Sequence, residues 1–154
     1  MDKNKIVLDY LLTSEEVSKL YFQYSIAAKD SMQIQTSTVE SAQRKGYIDG
    51  SRPRRLDYTF VWFKPLGFIP VVANAGGSPQ NVAELDDVQS IIDWIEEQND
   101  SHNFPNFGSN CVVDRIYCLN DTPQLVGVDT SSNPPLARYK FTLRIEFIDY
   151  SHAI

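Results

Sequence analysis

The sequence predicts an α+β fold, a mainly antiparallel β-sheet with two helices packed on one face. Three observations carry that prediction. From Leu136 to Tyr150 the chain alternates: Ala137, Tyr139, Phe141, Leu143, Ile145 and Phe147 share one face, and Arg138, Lys140, Thr142, Arg144 and Glu146 share the other. A period of two held over that length reads as a long strand buried on one side, which needs neighbouring strands and a covering layer. Between Val82 and Gln98, Leu85, Val88, Ile91, Ile92 and Ile95 fall within roughly a 120° stripe, as in a helix lying on a sheet. The remaining strands come in runs on either side of that helix, so a βαβ order is not the pattern.

Taken in order, residues 3–12 place Ile6, Val7, Tyr10 and Leu11 at helical spacing. Thr13-Ser14-Glu15-Glu16 has the form of a capping box that restarts the helix toward Leu20. Leu20, Phe22, Tyr24 and Ile26 then alternate as a first strand, and the β-branched and amide residues of 32–39 predict a second. Arg44 to Asp49 and Arg55 to Lys64 flank Gly50-Ser51-Arg52-Pro53, whose glycine and proline predict a hairpin turn. On its second arm Leu56, Tyr58, Phe60 and Trp62 share a face that should meet the core of the final strand.

Pro65 to Gly77 mixes apolar Leu66, Phe68, Ile69, Val71 and Val72 with prolines and glycines that resist regular structure. It either folds back on the core or is kept for a partner. The helix that follows starts with Asn81 and Glu84 spaced as a cap and its reciprocal partner. Its Trp94 lies off the apolar stripe, and its acidic residues lie mostly on the solvent side. Asn99 to Asn110 is a loop containing Phe104 and Phe107. Cys111 to Leu119 and Pro123 to Val128 read as strands, and Asp129 to Pro135 as an exposed loop before the last one.

At 154 residues, with 42% hydrophobic and 22% charged residues, the chain reads as one globular domain spanning 1–154. No window approaches the roughly 20 apolar residues of a membrane span, and polar Thr13 arrives too early for a signal peptide, so an intracellular protein is expected. Cys111 and Cys118, seven apart on one strand, should face opposite ways and form no disulfide. Together with His102 and His152 they lack metal-ligand spacing, so neither a metal nor another cofactor is expected.

The net charge of −6 argues against a protein whose main task is holding nucleic acid. Its distribution says more. Arg44, Lys45, Arg52, Arg54, Arg55 and Lys64 concentrate positive charge in one region, whereas Asn81 to Ser101 carries seven acidic residues and no basic one. Ala75-Gly76-Gly77-Ser78 lacks the lysine of a phosphate loop. Asp86-Asp87 and Glu96-Glu97, adjacent on a helix, point about 100° apart and do not converge as an acid/base pair. Neither histidine has a nucleophile turn beside it, so a non-enzyme is expected.

Arg52, Arg54 and Arg55 read first as a hairpin tip, and beyond that as contacts for a protein partner. Trp94, Phe104, Phe107 and the Pro65–Gly77 connection each read singly as local core. Combined with separated cationic and anionic regions they favour head-to-tail self-association, in which a cationic patch meets an anionic patch of the next copy.

Trp94-Ile95-Glu96-Glu97-Gln98-Asn99, then Asn103-Phe104-Pro105, resembles small tail proteins of long-tailed bacteriophages, particularly those of Gram-positive hosts. The resemblance continues through Leu125-Val126-Gly127-Val128-Asp129 and Ala137-Arg138-Tyr139-Lys140-Phe141, and includes Tyr47-Ile48-Asp49-Gly50. Within that group the order of elements is similar to the tail terminator, or tail-completion, family. The resemblance implies a tail-terminator-like sheet flanked by helices and a hexameric ring at the head-proximal end of the tail tube. There it would stop tube polymerisation and meet the head connector. It implies no catalytic residues.

The expected partners are therefore further copies of the chain, the tail tube protein and the head–tail connector, with DNA only in passage. The expected location is the virion tail, after assembly in the host cytoplasm. Arg52, Arg54 and Arg55 are expected to meet Asp93, Trp94, Glu96 and Glu97 of a neighbour. Phe68, Ile69, Val71, Val72, Phe104 and Phe107 are expected to touch the tube or the connector. Two other readings are another small virion protein, of the head–tail joining or tube kind, and a domain binding a small molecule on a concave sheet face.

Overall fold

The computed structural model describes residues 3–15, 17, 21–22, 32–36, 48–65, 79–131 and 135–151. Along the chain come α1 (Lys3–Leu11), β1 (Tyr21–Phe22), β2 (Met32–Thr36), β3 (Arg52–Pro65), α2 (Pro79–Asp100), β4 (Cys111–Cys118), β5 (Gln124–Asp129) and β6 (Leu136–Asp149). The sheet order is β1-β2-β3-β6-β4, with β5 also paired to β6; every described pairing is antiparallel except β1 with β2.

The final alternating stretch is the strand on which the sheet is built. β6 pairs with β3 along its whole length, from Leu136↔Pro65 to Asp149↔Arg52. On its other side it takes β4 against residues 143–149 and β5 against residues 136–140. Its odd residues from Ala137 to Phe147 are all buried, and the register sets them opposite Tyr58, Phe60 and Trp62, also buried. Phe60 and Phe141, directly opposite, stack with ring centroids 4.6 Å apart. Both helices close this face: Val7 and Leu11 of α1 and Val88, Ile91, Ile92 and Ile95 of α2 belong to the same apolar cluster. The α+β prediction, with two helices on one face of a mainly antiparallel sheet, is what the chain forms.

The other face is polar but partly closed. Gln33 and Thr59 are buried there, and Asp57 and Arg144, register partners, form a two-pronged ion pair at 2.8 and 3.0 Å with little exposure. Asp57, hydrogen-bonded to its guanidinium, pushes the Arg144 pKa further up.

Several local expectations change. β3 starts at Arg52, so Arg52 and Pro53 belong to the strand and the turn is Ile48–Gly50. It closes by Asp49 Oδ1 accepting from the Ser51 N–H and Oγ, with Gly50 at φ 88°. α2 starts at Pro79, a residue whose fixed φ suits a first helical position, so Asn81 lies inside the helix rather than capping it. Thr13–Glu15 forms a turn, held by the Thr13 and Ser14 N–H groups donating to Tyr10 and Leu11 carbonyls, and most of the expected helix toward Leu20 lies outside the described residues. The first arm of the hairpin, most of the first strand, residues 37–39 and most of the Pro65–Gly77 connection fall outside the described residues.

A bulge overturns the cysteine geometry. The β4 register shifts between Val113 and Arg115, which reverses the alternation beyond it. Cys111 and Cys118 therefore both pack against the core side, and they are free because a strand separates their Cα atoms by roughly 20 Å, far beyond disulfide reach.

Candidate interaction surfaces

The three arginines open β3, opposite the end of β6. Arg52 is exposed; Arg54 is 44% exposed, and its Nε lies 3.4 Å from Asp149 Oδ2. Arg55 is half-buried across from Glu146. Pro53, Arg54 and Arg55 border a shallow hollow of about 370 Å³ with Asp114, Glu146 and Phe147. Part of this cationic charge is thus already met by carboxylates of the same chain, which sequence spacing did not reveal.

The acidic residues of α2 lie where helical geometry sends them. Asp86, Asp87, Asp93, Glu96, Glu97 and Asp100 are all exposed. Asp93, Glu96 and Asp100, together with Asp121, border a groove of about 570 Å³ between α2 and β4. Glu97 is not part of that border. Arg115 stands on the opposite bank with its guanidinium 4.1 Å from the Tyr117 ring, and the Tyr117 hydroxyl donates to Glu146 at 3.1 Å. Burial, reinforced by Glu96, pushes the Cys118 thiol on the groove floor up to about 12. That thiol stays protonated at neutral pH and is no nucleophile.

The aromatic candidates turn inward. Trp94 is half-buried with its ring 5.4 Å from Tyr10, whose hydroxyl donates to the Asn103 carbonyl at 2.7 Å. Its off-stripe position serves α1, which crosses there, and removes it as a free surface anchor. Phe107 is buried edge-on to Phe147 at 5.3 Å, so it is core and not a tube contact. Phe104 is half-buried beside His102. Phe68, Ile69, Val71 and Val72 lie outside the described residues.

Two features escaped the sequence reading. Lys64 is buried at the end of β3, its Nζ 3.4 Å from both Glu84 and Asp87 and 4.2 Å from the centre of the Trp62 ring. The signal was present, because Lys64 continues the apolar face of Leu56 to Trp62. The second is β5, whose Leu125, Val126 and Val128 are 56%, 42% and 42% exposed. Among the described residues no group of three His, Cys, Asp or Glu side chains is arranged to hold a metal, and no helix is long and apolar enough to cross a membrane. No family model matches the chain, and no curated protein matches it.

Proposed function

We propose that this protein is a structural subunit that assembles with copies of itself, and that its ring caps the head-proximal end of a phage tail tube as a tail terminator. The observation that carries the reading is the separation of charge on a folded scaffold. Exposed carboxylates run along α2, whose Glu84 and Asp87 meet Lys64 near the end of β3, while exposed Arg52 and half-exposed Arg54 stand at the opposite end of that strand. Such a surface suits a head-to-tail contact, and a head-to-tail contact closes into a ring when the rotation allows. The resemblance of residues 47–50, 94–99, 103–105, 125–129 and 137–141 to phage tail proteins supplies the tail tube and head connector as partners. An acidic subunit also suits a DNA passage, because each phosphate neutralised would add affinity and slow transit.

Light scattering over a range of protein and salt concentrations, with negative-stain imaging, tests this. Rings of 17.5 kDa subunits, or capped ends when purified tail tubes are added, are the expected result. Charge reversal at Arg52 and Arg54 should weaken ring formation and leave the subunit folded. A chain that stays monomeric and leaves tube ends open would overturn the reading.

A further inference from the structure

We propose that β5 is a self-pairing edge, joining β5 of a second copy antiparallel about a two-fold axis that passes between Val126 and Gly127. Three observations converge on it. First, on its outer side β5 has no strand partner among the described residues, yet it exposes Leu125, Val126 and Val128, with exposed Leu119 at the same edge. Open edges are ordinarily kept apart by lysine, proline, an inward charge or a bulge; Gln124 to Val128 holds none of the first three, and its bulge between Leu125 and Gly127 would meet the same bulge of the second copy across the two-fold.

Second, the strand is complementary to itself. A two-fold between Val126 and Gly127 sets Leu125 opposite Val128 of the second copy and Val126 opposite Gly127. The first is an apolar pair; in the second Val126 meets a glycine over which the Arg138 guanidinium lies, 3.1 Å from where a Cβ would stand. Leu125 and Val128 already share the core-side face, because the bulge between Leu125 and Gly127 puts them opposite Tyr139 and Ala137. They therefore form one continuous apolar seam across the two copies.

Third, the charges match. The same two-fold sets Asp129 opposite Gln124, and Gln124 lies beside Lys140 on β6. Asp129 is anionic: the Ser131 Oγ and N–H donate to it at 2.6 and 2.9 Å, and they and Arg138 hold its carboxyl below the usual range. Each end of the seam thus brings a carboxylate toward an exposed lysine, and the pattern occurs twice by symmetry. The neighbouring β4 edge is less open, because the Asn99 side chain of α2 already accepts from the Ile116 N–H there.

This contact is isologous, so it adds to the head-to-tail ring contact and does not depend on it. Two rings joined back to back would use both. The test is a Leu125→Cys, Val128→Cys double variant of the full chain, oxidised with diamide, beside each single variant and the parent. Opposed cysteines should give at least about tenfold more covalent dimer in the double variant than in either single. On the parent background, Val126→Lys should halve the mass of the associated species, with a melting curve unchanged at concentrations low enough to keep copies apart. A parent that is monomeric at every concentration, single variants that cross-link as well as the double, or a mass indifferent to Val126→Lys would each overturn the pairing. Rings that survive Val126→Lys as single layers support it. Charge reversal at Arg52 and Arg54 tests the ring contact separately.

Discussion

β4 and β5 share one side of β6, end to end, yet they are finished in opposite ways. β4 lies under α2, buries Val113 and Ile116, and has one N–H of its outer edge, that of Ile116, capped by Asn99. β5 lies beyond that cover with half or so of Leu125 exposed. At the junction Leu119 N–H donates to the Thr142 carbonyl at 2.9 Å, and Asn120 Oδ1 accepts from the Thr142 N–H at 3.2 Å, so β6 loses no backbone partner where the strands change over. The difference lies in what covers each strand, and it separates a strand buried in the core from one whose apolar side chains stay exposed, the edge proposed above for self-pairing.

Cutting β4 should show this most strongly. Ile116 is 1% exposed and packs under α2, so Ile116→Ala should cost about 2–5 kcal/mol in chemical denaturation, by lost transfer energy and the cavity left behind. Asn99→Ala comes next. It deletes the acceptor of the Ile116 N–H at the sheet edge, and a half-buried donor left unpaired should cost about 1–3 kcal/mol. Amide exchange at Ile116 should quicken more than at Val113, whose edge is not capped by that side chain; equal changes would mean that Asn99 acts through α2 as a whole.

The same contrast explains what could be read from residues alone. Strict alternation over β6 and the stripe of α2 stated the layers, because periodicity reports which face is buried. It says nothing of a bulge, so the facing of Cys118 was misread once Asp114 was inserted into the ladder. Trp94 and Phe107 looked spare because their partners, Tyr10 and Phe147, are distant in sequence. The acidic face of α2 was legible from helix geometry, but the groove it forms with Asp121 and Arg115 required the placement of β4. The exposure of β5 was not legible, since Leu-Val-Gly-Val reads the same on an open edge as in a core.

The smallest expected effect is the sharpest, and it uses one chemical change on both strands. Val113 on β4 is 8% exposed and Val128 on β5 is 42% exposed. Replacing valine by threonine keeps the shape and β propensity while adding a hydroxyl, so what is measured is the cost of its burial. Val113→Thr should destabilise by about 1–3 kcal/mol, the usual range for an uncompensated hydroxyl in a protein interior. Val128→Thr, measured at concentrations low enough to keep copies apart, should stay within about 0.5 kcal/mol of the parent, as other surface exchanges do. Raising the concentration should then separate the parent from Val128→Thr, since only association removes the Val128 side chain from water. A Val128→Thr cost equal to that at Val113 under dilute conditions would show that β5 is needed for the fold of the single chain, and the distinction between the two strands would fail.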